Sequence, residues 1–177
     1  MTPTGFEQFA VGQIFTSGAL TMDAESIKAF ARQFDCQAQH LDEAAARGTM
    51  FGTFVASGWH TAAVSMRLML ESVLQGVSGR ALGMRIQEIA WPKPVLPGDA
   101  LHVRNEIVEL RPSRSKPDRG IAVIRTTTHK QDGTVVQEMT GTLMILRSDA
   151  VLGGLGGDPT PPPGPLTQGE GGSHSAA

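Results

Sequence analysis

The segment Phe34-Asp35-Cys36-Gln37-Ala38-Gln39-His40-Leu41-Asp42 sets a carboxylate and an imidazole five residues apart. That spacing does not stack two side chains on one helical face, where neighbours fall three or four apart. It suits a turn or short loop that folds both toward one point. An ionised Asp and a neutral His can together accept, donate and hold a proton on a water molecule. Asp35 and His40 are therefore the leading candidates for acid–base chemistry. Cys36, between them, is the single cysteine of the chain. It cannot form an internal disulfide, which fits a reducing cytoplasm. It is readable as a nucleophile, but a small buried apolar filler is the commoner fate of a lone cysteine and the one expected here.

Two amphipathic stretches must position this pair. From Asp23 to Phe34 the apolar residues Ile27, Phe30, Ala31 and Phe34 recur at helical spacing, with Thr21 or Asp23 able to cap the start. This helix delivers Asp35 from its C-terminal end. Asp42 is placed to cap a brief helix running through Arg47. A longer helix is expected from about Gly58 to Leu74, burying Trp59, Ala62, Ala63, Met66, Leu70, Val73 and Leu74, with Ser57 as its natural N-cap. After Gly79 the pattern becomes extended. Gln13–Leu20, Leu82–Trp91, Ala100–Leu110, Gly120–His129 and Thr134–Leu146 read as about five strands of an antiparallel sheet. Asp132-Gly133 and Pro97-Gly98-Asp99 supply turns. Periodicity alone supports an α+β domain.

Several ordered segments carry a resemblance. Asp35, His40 and Asp42, followed by Glu43-Ala44-Ala45-Ala46, resemble the hydratase motif of the MaoC-like dehydratase family, which includes the (R)-specific enoyl-CoA hydratases. Gln37, Ala38 and Gln39 depart from it, standing where Asn, Pro and an apolar residue are usual. Phe51-Gly52-Thr53-Phe54-Val55-Ala56-Ser57-Gly58-Trp59-His60 is similar to the family's lead into its long helix. Trp91-Pro92-Lys93-Pro94-Val95-Leu96-Pro97-Gly98-Asp99 is similar to its turn into the later strands. The likeness covers about residues 6 to 147. It implies a single hotdog domain, in which a curved antiparallel sheet wraps a long central helix.

The resemblance implies hydration of a trans-2-enoyl thioester, or the reverse dehydration of a 3-hydroxyacyl thioester. Such chemistry needs an oriented and deprotonated water, a proton delivered to C2, and stabilisation of the thioester oxygen as the enolate forms. Asp35 and His40 would share the first two tasks; the sequence leaves open which one moves the proton. The Gly58 N–H, at the positive end of the helix dipole, would take the third, with no side chain to block the acyl group. Ser57, Trp59 and His60 are the candidate substrate-binding residues. Each has a plainer reading: a cap for Ser57, core packing for Trp59 and Met66, capping or packing for His60. A Ser57-His60-Asp35 hydrolase lacks the Gly-x-Ser-x-Gly elbow. Glu71, where a thioesterase acid would lie, reads more simply as a solvated or salt-bridged side chain. Lys93, Arg104, Arg111, Arg114 and Lys116 are candidates for CoA phosphates against a background of scattered surface charge.

Composition removes other classes. A net charge of −2 over 177 residues, without a basic stripe, excludes nucleic acid as an expected partner. No apolar run is long enough to cross a bilayer, and Met1–Gln13 lacks the form of a secretory signal, so a cytoplasmic protein is expected. His40 and His60 lack ligand spacing with other donors, so no metal is expected; there is no P-loop or dinucleotide loop, and no cofactor is invoked. Residues 1–150 are read as the domain and 151–177 as a disordered Gly/Pro-rich tail. The reading is thus a cofactor-independent acyl-CoA hydratase or dehydratase of fatty acid metabolism. Its alternatives are a thioesterase on the same fold or a non-catalytic acyl-thioester binder. The resemblance further implies a homodimer or higher homo-oligomer.

Overall fold

The computed structural model describes residues 5–150. Residues 151–177, the expected disordered tail, lie outside them.

Helix α1 spans Ala24–Phe34. The Asp23 carboxylate accepts the Ser26 N–H at 2.8 Å, so Asp23 rather than Thr21 caps it. Its inner face buries Ile27 and Ala31. Two one-turn helices follow, α2 (Ala38–Leu41) and α3 (Glu43–Ala46). Asp42 caps α3 by accepting the Ala45 N–H at 2.7 Å, the role its sequence position suggested. Cys36 is exposed, contrary to the expected buried filler. The chain leaves α1 there in an extended turn, and the thiol lies against the Ala31 and Arg32 carbonyls at the helix end.

Helix α4 spans Gly58–Leu70, with a short 3-10 turn at Gln75–Val77 in place of its expected last turn. The buried face also differs from expectation. His60, Thr61, Val64, Ser65, Leu68 and Met69 face inward, whereas Trp59, Met66 and Leu70 are exposed. A helix apolar on several faces does not reveal which stripe meets the sheet. Here the inner stripe includes hydroxyls because the sheet beneath supplies partners. Ser65 and Thr128 share a 2.7 Å hydrogen bond, Thr126 donates to Asn105 at 2.9 Å, and Asn105 donates to Ser72 at 3.2 Å. Asn105, Thr126 and Thr128 are fully buried, so these bonds are what makes their burial tolerable.

The strands are β1 (Ile14–Thr16), β2 (Leu20–Thr21), β3 (Ala81–Ala90), β4 (Ala100–Pro112), β5 (Arg119–His129) and β6 (Val135–Leu146). The sheet order is β1-β4-β5-β6-β3, with β2 also paired to β4, and every pairing is antiparallel. The single strand expected over Gln13–Leu20 is therefore two short ones, both paired to β4. Strict alternation along β4 buries Leu101, Val103, Asn105 and Ile107 toward α4 and turns His102, Arg104 and Glu106 outward. The Asp132-Gly133 turn joins β5 to β6, with Gly133 at φ 84°. A long helix against one face of an antiparallel sheet is the architecture the resemblance implied.

Candidate active site

Three segments converge at the N-terminal end of α4. The first is the turn after α1, which carries Asp35. The second is α2, which carries His40. The third is Phe54–Ser57, a buried strap leading into α4. The strap is tied on both sides: the Val55 N–H donates to the Gln39 carbonyl at 3.0 Å, and the Ala56 N–H donates to the Val95 carbonyl at 2.8 Å. The strap is thus fixed beside α2, and the five-residue spacing of Asp35 and His40 folds both side chains toward it.

His40 is buried, with its Nδ1 2.8 Å from the Val55 carbonyl. A carbonyl only accepts, so Nδ1 carries the proton and the Nε2 lone pair is turned to the other side. There it faces Asp35 Oδ2 at 3.5 Å. That separation is too long for a strong direct hydrogen bond. It suits two acceptors that converge on one water, each taking one of its protons.

The Asp35 carboxylate is itself held. Gln37 Nε2 donates to Oδ1 at 2.7 Å, and Gln39 Nε2 donates to Gln37 Oε1 at 2.9 Å. Two of the residues that depart from the family motif thus form a relay that steadies the carboxylate. Burial pushes the Asp35 carboxyl up, but hydrogen bonds from Ser57 and Gln37 and the nearby His40 outweigh it and hold the group below the usual range. Asp35 is ionised at neutral pH.

Ser57 does two things. Its hydroxyl is close enough to help hold the Asp35 carboxyl low, and its oxygen accepts the Trp59 N–H at 3.2 Å as the α4 cap. It makes no bond to His60, so the Ser57-His60-Asp35 order of a hydrolase is not formed. Gly58 is the first helical residue, and its N–H has no partner within the helix. The Trp91 indole lies directly over it: a β-carbon at Gly58 would sit 2.8 Å from Trp91 Cδ2. Trp91 is in turn anchored by a 2.8 Å bond from Nε1 to Gln137 Oε1, deep in β6. Trp59 is exposed and meets Trp91 edge-on at 5.2 Å, so it packs beside the helix start rather than in the core. His60 is buried and stacked on Phe30 of α1, with ring centroids 4.7 Å apart.

The remaining candidates fall away from this point. Glu71 pairs with Arg67 at 3.0 Å on an exposed helix face, the plainer of its two readings. Arg104 and Arg111 pair with Glu106 and Glu109 of their own strand. Among the described residues no cluster of three or more His, Cys, Asp or Glu could hold a metal ion. Sequence reasoning missed Gln37 as a carboxylate partner, the Val55 carbonyl as the group that sets the His40 tautomer, and Gln137 as the anchor of Trp91. Gln37 was visible as a departure from the motif. Val55 and Gln137 act through tertiary contacts that no local pattern announces.

Comparison with known proteins places this geometry. The MaoC like domain family model matches residues 8–131. The chain belongs to the MaoC-like family. The MaoC-like dehydratase of Rhodospirillum rubrum is 44% identical, with a TM-score of 0.74 over 80% of this chain and 95% of that one. YdeM of Bacillus subtilis is 31% identical over 141 residues, 80% of this chain and 98% of YdeM. The (R)-hydratase of A. caviae involved in PHA biosynthesis is 25% identical, with a TM-score of 0.63 over 77% of this chain and 97% of that one. The domain is a hotdog fold of the α+β class, as the sequence resemblance implied. Among the described residues no helix is long and apolar enough to cross a membrane.

Proposed function

We propose that this MaoC-like protein is a cofactor-independent hydratase that reversibly adds water across the 2,3 double bond of a trans-2-enoyl-CoA. The observation that carries the reading is the convergence of Asp35 Oδ2 and His40 Nε2, 3.5 Å apart, beside the amide that opens α4. Family membership and likeness to a dehydratase and an (R)-hydratase support it.

In this mechanism one water is held between the Asp35 carboxylate and the unprotonated Nε2 of His40. As its oxygen attacks C3, its proton passes to this pair. The same pair returns a proton to C2, so water is added with no net change in the protein. Negative charge that develops on the thioester oxygen is met by the Gly58 N–H and the α4 dipole. Ser57 and Gln37 keep the carboxylate ionised and oriented. Trp59 and His60 flank the acyl group on either side of Gly58.

The protein is proposed to work as a cytoplasmic homodimer. Among the described residues strand β3 pairs only with β6, leaving its outer edge without a partner strand there. Leu82, Met84 and Ile86 on it are 48%, 58% and 54% exposed, far more than a solvated edge strand carries. Of these, Ile86 shares a cavity of about 190 Å³ with Met139 and the exposed α4 residues Met66 and Leu70. This cavity sits toward the C-terminal end of α4, and neither Asp35 nor His40 lines it. At 1.5 Å per residue, Gly58 and Leu70 are about 18 Å apart, so it belongs to the subunit interface rather than to the reacting centre.

The test is hydration of crotonyl-CoA, followed by loss of conjugated-thioester absorbance and by chiral analysis of the product. Asp35→Asn and His40→Ala are each expected to lower turnover at least 10²-fold while circular dichroism shows both still folded; His40→Ala also lowers Tm, because the buried Val55 carbonyl is left unpaired. Wild-type rates in either variant would remove the assignment. Release of free CoA would favour a thioesterase instead.

A further inference from the structure

Buried polar atoms in folded proteins are nearly always hydrogen-bonded. Among the described residues three side-chain atoms are not: Arg80 Nε, Gln137 Nε2 and His60 Nδ1. Two of these belong to side chains committed elsewhere. Arg80 donates through Nη2 to the carbonyls of Arg147, Ser148 and Ala150. Gln137 accepts from Trp91. His60 is different, because its ring makes no hydrogen bond to the described protein at either nitrogen.

Packing does not account for an imidazole here. The ring lies flat on Phe30, with an interplanar angle of 7°, and only 8% of the residue is exposed. An apolar side chain would fill this position without stranding a nitrogen. Position supplies the missing reason. His60 lies one helical turn after Ser57, on the same side of α4 and two residues after Gly58. Phe30, which covers the ring, also packs at 5.0 Å on Phe34, the residue before Asp35. The unpartnered ring therefore stands between α1 and α4, in the first turn of the helix that Ser57 and Gly58 open.

We infer that His60 is a specificity-determining residue whose ring hydrogen-bonds an oxygen carried by the acyl group, so that the preferred substrate is an oxygenated enoyl thioester rather than a plain alkyl one. The inference rests on the hydratase reading of the same site. Burial holds the ring below the usual histidine range, against the opposing pull of Asp23, so it meets substrate neutral. A neutral imidazole can accept from a hydroxyl or donate to a carboxylate by choice of tautomer. A site with a buried group waiting for a partner discriminates against a ligand that lacks one.

The test compares trans-2-enoyl-CoAs bearing a hydroxyl or a carboxylate at C4, C5 or C6 with alkyl chains of equal length, in wild type, His60→Leu and His60→Gln. Wild type is expected to favour at least one oxygenated chain by about tenfold in kcat/KM. His60→Leu should bring that ratio to about one, and His60→Gln, which keeps a hydrogen-bonding group, should retain part of it. Which oxygenated chain wins distinguishes a hydroxyl from a carboxylate. Equal ratios for all chains in wild type, or a preference that survives His60→Leu, would overturn the inference while crotonyl-CoA hydration left the hydratase reading intact. If no enoyl-CoA is turned over, that reading fails by itself. Calorimetric titration with saturated acyl-CoAs, with and without the oxygen, then decides the role of His60: a tenfold difference in Kd that disappears in His60→Leu supports it, and none overturns it.

Discussion

Replacing Gly58 by alanine tests how tightly the start of α4 is built. An added β-carbon would lie 2.8 Å from Trp91 Cδ2, 2.9 Å from Cε2 and 3.2 Å from Cε3. Carbon atoms rest about 3.5–4.0 Å apart, so the ring or the helix must give by most of an ångström. The indole is not free to do so. Its Nε1 is bonded at 2.8 Å to Gln137, which is fully buried, and its edge meets Trp59. Overpacking of this kind costs about 1–3 kcal/mol. Pulling Nε1 away would leave the Gln137 amide wholly unpaired, adding about 1–3 kcal/mol. Against these stands the gain of helix propensity from Gly to Ala, at most about 1 kcal/mol. The expected result for Gly58→Ala is a net loss of roughly 1–5 kcal/mol in urea unfolding. Turnover of crotonyl-CoA should fall at least 10²-fold, since an ångström of misplacement at an oxyanion donor has that effect. Trp91→Leu should make the alanine tolerable, so the double variant would be more stable than the sum of the two losses predicts. A Gly58→Ala protein with wild-type stability and turnover, or strictly additive losses in the double variant, would refute the close-packing argument.

Other perturbations follow from the same contacts. Gln37→Ala removes the 2.7 Å bond to Asp35 and breaks the link to Gln39; the carboxyl should titrate higher, and kcat should fall roughly tenfold with KM little changed. Ile86→Lys places a charge at the bare edge of β3 and should shift the proposed dimer to monomer in sedimentation, with activity lost in parallel. His60 gives a pH signature. Its folded-state pKa lies below the ordinary 6.5, so as pH falls below that value the unfolded chain binds the proton more readily and stability declines. His60→Leu should flatten the decline in Tm between pH 7.5 and 5.5, and an unchanged slope would count against a buried neutral ring.

The sequence by itself determined most of the elements and singled out the pair proposed to react. Helical spacing with Thr21 or Asp23 as cap defined α1, alternation defined β4 to β6, and Asp132-Gly133 located a hairpin turn, all because these signals are local. Asp35 and His40 were legible for the same reason, since five residues of turn suffice to bring them together. The tertiary structure alone decided which stripe of α4 faces the sheet. The expected stripe of Trp59, Met66 and Leu70 is exposed, because an apolar helix gains about as much from burying either side until the hydroxyls of the sheet select one. It alone set the His40 tautomer, through a carbonyl fifteen residues away, and placed Trp91 over Gly58 by way of a glutamine in another strand. It likewise exposed Cys36, where the chain must open out on leaving α1, and left the His60 ring buried without a partner. These outcomes depend on which surfaces meet across the fold, and a contact between distant segments leaves no periodic trace in either of them.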